Sequence, residues 1–196
     1  LTLHYQGHGG DTINSTRSSG NVEDIVSLQE WIDDILSVID DSCSKVEDST
    51  YIIVGSSIGC WLGMHVAIKL GSRVKGMICI APAIDIFRQY IDSLDSDKDI
   101  VEIPSLWVES GCIRLKKSLL TDACDRFLLL SDANDEIIQN RLHPMRIAIL
   151  HGDMDDVISV PQVERMASIL SMNNSKIELK IIKGGDSMDR MPQFFD

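Results

Sequence analysis

Residues 55–59 read Gly55-Ser56-Ser57-Ile58-Gly59, directly after the apolar run Tyr51-Ile52-Ile53-Val54 and directly before a helix-like stretch. A G-x-S-x-G run placed between a strand and a helix predicts a nucleophile elbow. The turn strains the serine backbone and lifts the Ser57 hydroxyl above a sheet, next to a helix N-terminus. The flanking glycines are expected to let strand and helix pack closely, and the backbone N–H of Ile58 is placed to stabilise an oxyanion. The pattern therefore constrains the fold to strand, sharp turn and helix, and it points to acyl transfer through a serine ester.

The surrounding chain reads as alternating strands and helices. Ile25, Leu28, Ile32, Ile35 and Ile39 recur on one helix face, with Asn21 as the expected N-cap. The helix after Ser57 runs to about Leu70, with Gly71 as its C-terminal cap. Met77–Ala81 is a continuous apolar run expected of a strand buried on both faces, and Met145–Leu150 and Lys176–Ile182 are two more strands. Between the last two, Ser159 caps a helix whose apolar residues are Val163, Met166, Ala167 and Leu170. This order predicts a mostly parallel sheet with the strand at 51–54 central and helices on both faces. A short strand is expected at residues 1–5. The segment 83–144 breaks the rhythm, with expected helices at 84–94 and 118–130 around an irregular Pro104-Ser105-Leu106-Trp107. It reads as a cap or lid insertion over the strand ends, within a single domain spanning 1–196.

Composition narrows the partners. The 196 residues carry 18 basic against 30 acidic side chains, a net charge of −12, which repels phosphate backbones and anionic lipid. Nucleic acid and membrane surfaces are thus poor candidates, and no stretch is long and apolar enough to span a bilayer. Five cysteines, Cys43, Cys60, Cys79, Cys112 and Cys124, form no CxxC pair and are expected to be free thiols. No spacing suggests a metal site, G-x-G-x-x-G is absent, and no cofactor is expected. The chain opens at Leu1 inside an apparent strand, so it is expected to be part of a longer protein.

A serine nucleophile needs a base, and the base needs an orienting acid. The strand at 145–150 runs into His151-Gly152-Asp153-Met154-Asp155-Asp156-Val157. This resembles the H-G-x-x-D-x-x-V/I turn of the α/β-hydrolase superfamily. The resemblance places the acid on Asp155, with Asp153 and Asp156 as the alternatives. Tyr5-Gln6-Gly7-His8-Gly9 resembles the turn after that fold's fourth strand. Ser56-Ser57-Ile58-Gly59-Cys60-Trp61 resembles the S-S-M-G-G-W elbow of bacterial serine hydrolases and of their animal mitochondrial relatives, the palmitoyl-protein thioesterase and acyl-glucuronide esterase subgroup. Ala81-Pro82-Ala83-Ile84-Asp85 and Arg126-Phe127-Leu128-Leu129-Leu130 are similar to that subgroup's strand end and cap.

The resemblance implies an α/β-hydrolase fold and a small-molecule ester or acylated-protein thioester as substrate. It implies a mitochondrial or cytoplasmic location and leaves the oligomeric state open. It also exposes two departures. The relatives end in G-D-H, where the histidine is the base. Here the run is Gly185-Asp186-Ser187, with Pro192 in register, and no histidine follows His151. Ser187 thus occupies the histidine slot. The family's first three strands precede residue 1, and with them a central strand and the loop carrying the second oxyanion donor. The expected site is Ser57 as nucleophile, Asp155 as acid and the Ile58 N–H as oxyanion donor. The alternative is a catalytically inactive or truncated relative. Of the other histidines, His8 reads as structural, His65 lies mid-helix, and His4 and His143 are isolated. His151 reads as shaping the acid turn, with substitution as base the lesser alternative.

Overall fold

Four parallel strands carry the turns that hold Ser57 and Asp155. The computed structural model describes residues 27–43, 49–91, 97–104, 111–130, 145–172 and 176–185. The fold divides into two compact units: Leu1–Lys45 with Asp85–Leu128, and Val46–Ile84 with Leu129–Asp196. The expected strand at 1–5, Asn21, His4, His8, His143, residues 105–107, Ser187 and Pro192 lie outside the described residues.

In the second unit the strands are β1 (Tyr51–Ser56), β2 (Val74–Ile80), β5 (Arg146–Gly152) and β6 (Ile177–Ile182), in the order β1-β2-β5-β6, all parallel. Their β-branched cores, such as Ile52-Ile53-Val54 and Ile147 with Ile149, fit a pleated, half-buried surface. Helix α2 (Ile58–Leu70) connects β1 to β2 and helix α5 (Val160–Ser171) connects β5 to β6. Both crossovers step the same way across the sheet, so the right-handed rule puts α2 and α5 on one face. The register agrees. Gly63 of α2 lies against Met77 and Ile53, and Met77 pairs with Ile147, so these residues share a face. Met77, Cys79, Ile147 and Ile149 on it are buried, as are Leu62, Met64, Val66, Val163, Met166 and Leu170 of the two helices.

Among the described residues β1 is the last strand on its side of the sheet, and the strand expected at 1–5 lies outside them. Its second face carries Ile52 and Val54 at 70% and 62% exposure. Strand β2 begins at Val74, three residues before the apolar run, a start that Lys75 and Gly76 hide in the sequence.

In the first unit, helix α1 (Leu28–Cys43) buries Leu28, Trp31, Ile32 and Ile39. Its N-cap is Ser27 rather than Asn21. Ser27 Oγ accepts from the Gln29 N–H at 3.0 Å and Glu30 Oε1 accepts from the Ser27 N–H at 3.2 Å, a capping-box arrangement. Helix α4 (Lys117–Arg126) buries Leu119, Leu120 and Ala123 and contacts both α1 and the short α3 (Arg88–Ile91). The irregular stretch expected around Pro104 instead opens with a strand. Strands β3 (Ile100–Pro104) and β4 (Cys112–Lys116) form an antiparallel pair, with Ile100 opposite Lys116 and Pro104 opposite Cys112.

Candidate active site

Ser57 sits between the last residue of β1 and the first of α2, at φ 52° and ψ −125°. A non-glycine residue on the positive-φ side costs on the order of 1–3 kcal/mol and persists only where its neighbours over-determine it. The neighbours are visible. The Ser57 N–H donates to the Ile80 carbonyl at 2.9 Å, and the Ser57 carbonyl accepts from the N–H groups of Cys60 at 3.0 Å and Ala83 at 3.1 Å. Ala81, itself at φ 45°, donates its N–H to Leu150 at 2.9 Å. The strand ends of β1, β2 and β5 are thereby tied to one another beneath the serine, and Ser57 is exposed above them. The sequence carried this bracing only as the Ala81-Pro82-Ala83 run. Its hydrogen bonds depend on the sheet register and could not be read from the run itself.

The two elbow glycines differ. A Cβ on Gly55 would lie 2.6 Å from the Gly59 carbonyl oxygen and 2.8 Å from Cys60 Cα, both backbone, so strand and helix approach too closely for any side chain. A Cβ on Gly59 would meet nothing within 4 Å. The expectation that both flanks must be glycine holds for Gly55, where the close approach is, and not for Gly59.

Cys60 supports the same turn. It is fully buried, and its Sγ lies 3.0 Å from the Gly55 carbonyl and 3.6 Å from that of Ile80. Burial, together with the neighbouring Cys79 thiol, holds the Cys60 thiol well above the ordinary value of 9.0. Ile58 is the first residue of α2, so its N–H belongs to the set that has no partner within the helix, and it stands beside Ser57. Trp61 is fully buried, and His65 is half-buried on α2.

The acid turn follows β5, two strands from β1, which is roughly 10 Å across the sheet. Because the strands are parallel, Ser57 and Asp155 emerge at the same sheet edge. Three aspartates occupy the turn and have different surroundings. Asp153 is exposed, and its Oδ1 accepts the Gly184 N–H at 2.6 Å, which ties the turn to the loop after β6. Asp156 is exposed. The Asp155 side chain is 1% exposed. Its Oδ1 accepts the N–H groups of Val157 at 2.9 Å and Ile158 at 2.8 Å, and its Oδ2 is buried with no hydrogen-bond partner among the described residues. Asp155 thus has one oxygen committed to the turn and one available.

His151 is buried at 1%. Its Nε2 lies 2.9 Å from the Ile158 carbonyl and its Nδ1 is 3.9 Å from Asp155 Oδ2. The ring is committed to the turn, which matches the structural reading of this histidine. No group of three or more potential metal ligands occurs among the described residues. No described helix is long and apolar enough to cross a membrane.

Comparisons with known proteins agree with this architecture. A family model described as serine aminopeptidase, S33 matches residues 2–103. The chain is 33% identical over 165 residues to the human protein named palmitoyl-protein thioesterase ABHD10, mitochondrial, covering 81% of this chain and 47% of the relative. It spans about half the length of the curated relatives it matches. Among solved structures, mouse alpha/beta hydrolase domain-containing protein 10 superposes with a TM-score of 0.68 at 25% identity, covering 93% of this chain and 67% of that one. A putative hydrolase from Agrobacterium vitis superposes with a TM-score of 0.69 at 20% identity, covering 94% and 67%.

Proposed function

The chain belongs to the serine aminopeptidase S33 hydrolase family and is an α/β-hydrolase related to the palmitoyl-protein thioesterase subgroup; from that premise we propose that it is built to cleave carboxylic esters or acyl thioesters through an acyl-enzyme on Ser57. The observation that carries this reading is the strained, exposed Ser57 at the strand-to-helix turn. Its Oγ attacks the substrate carbonyl carbon, and its proton must pass to a base, the place that Ser187 occupies and a histidine would fill. The tetrahedral oxyanion forms beside the Ile58 N–H, and collapse expels the alcohol or thiol. Water then attacks the acyl-serine and regenerates Ser57. Asp155 is the acid of this scheme, because its free Oδ2 is a buried acceptor suited to orienting a protonated base. The substrate reading follows the name of the relatives, as does a mitochondrial site of action.

Ser187 in the histidine slot favours a second reading, that of a non-catalytic relative. A serine hydroxyl does not take a proton from another serine near neutral pH. The two readings separate in a thioester and ester hydrolysis assay of the Ser187→His protein, with Ser57→Ala in the same background as control. The hydrolase reading expects a gain in turnover of about 10²–10⁴-fold, the usual contribution of a positioned base, and its loss in the control. A folded Ser187→His protein with no gain would support the non-catalytic reading.

A further inference from the structure

With the His151 ring neutral, its contact with Asp155 pairs two acceptors. A backbone carbonyl only accepts, so the 2.9 Å contact of Nε2 with the Ile158 oxygen requires the proton on Nε2. In the neutral ring Nδ1 is then a lone pair, and it faces Asp155 Oδ2 across 3.9 Å. Both side chains are essentially unexposed, at 0% and 1%, and neither atom has a hydrogen-bond partner among the described residues. An unpaired buried polar atom is costly, and here two stand together. The arrangement is held from outside the pair. Val157 and Ile158 donate to Asp155 Oδ1, and the Ile158 carbonyl holds the ring, so neither side chain can turn away without breaking a bond it makes.

We propose that His151 is a positioning residue that keeps Asp155 Oδ2 as an unspent acceptor, and that Nδ1 and Oδ2 together receive a single N–H or O–H donor. The ring fills the space beside the carboxylate without offering it a proton. It also closes the turn through Ile158, the residue whose N–H fixes the other oxygen. Asp155 is thereby prevented from spending its second oxygen on its own protein. This inference rests on the reading of Asp155 as the acid, and it adds the residue that keeps the acid available.

The pair makes an unusual demand. Asp155→Asn retains an oxygen for the Val157 and Ile158 N–H groups and presents an N–H to His151 Nδ1. It should therefore raise the unfolding midpoint, although it removes the acid. In long-range ¹H–¹⁵N spectra the neutral His151 ring should carry its proton on Nε2 alone, and its Nδ1 resonance should shift in the Asp155→Asn protein. A lowered midpoint for Asp155→Asn, or a proton on Nδ1 of the neutral ring in the unsubstituted protein, would overturn the proposal. Neither measurement needs activity, so each stands apart from the functional reading. That reading is tested separately by whether Asp155→Asn slows acylation of Ser57. In a chain given the Ser187→His base, kcat should fall further in His151→Asn, too short to reach Ile158, than in His151→Gln, which reaches it; the reverse order contradicts the positioning role.

Discussion

Ser57 keeps its positive φ because three backbone hydrogen bonds and one close approach leave it no alternative. The two glycines of the elbow should consequently respond in opposite directions to the same substitution. Gly55→Ala forces a methyl group into the backbone of Gly59 and Cys60 and should destabilise by about 1–3 kcal/mol, the usual cost of overpacking, with loss of the elbow geometry. Gly59→Ala puts a methyl into open space on a helix and should stabilise by up to about 1 kcal/mol through helix propensity. Urea unfolding midpoints of the two variants check this. Cys60 adds a pH dependence. Its thiol lies above the ordinary 9.0 in the folded state, so the stability from keeping it neutral is fully present below that value. It is lost as pH rises through the folded value, because the unfolded chain releases its thiol proton first. Unfolding midpoints measured across that window should fall more steeply for the natural protein than for Cys60→Ala.

At the scale of elements, what could be read from the sequence is what short range decides. The elbow, the span of α2, its Gly71 cap at φ 57°, β6, and α5 with its Ser159 cap all follow from local pattern. In α5 the Gln162 Oε1 accepts from both the N–H and the Oγ of Ser159, each at 2.8 Å. Gln162→Ala should lower stability by about 0.5–2 kcal/mol, read as a shift in thermal midpoint, with no change in the sheet. The start of α1 is also legible in Ser27-Leu28-Gln29-Glu30, whereas Asn21 and the acids after it lie outside the described residues. The β3–β4 hairpin is not legible. Each strand is five residues long, one ends in Pro104, and neither has the continuous apolar run that marked β2. Pairing across the intervening residues, which no local pattern encodes, is what makes them strands. In the site, the residue types at Ser57 and Asp155 were readable, whereas the free oxygen of Asp155 and the orientation of His151 exist only once the turn has closed.

At the scale of the whole molecule, β1, β2, β5 and β6 bring the strand-to-helix turn at Ser57 and the turn at Asp155 to one end of a parallel sheet. A parallel order of β1-β2-β5-β6 is what makes this possible, because every strand ends on the same side. One strand reversed would separate the two turns by the length of the sheet. The net charge of −12 is compatible with uncharged acyl substrates and disfavours polyanionic ones. In the proposed hydrolase, Ser57 is the acylated residue. Incubating the folded Ser187→His protein with a fluorophosphonate probe and locating the adduct by peptide mass spectrometry tests this. The prediction is one adduct per chain, on Ser57, absent from Ser57→Ala. A folded protein that takes up no probe, or that carries the same adduct after Ser57→Ala, would contradict it.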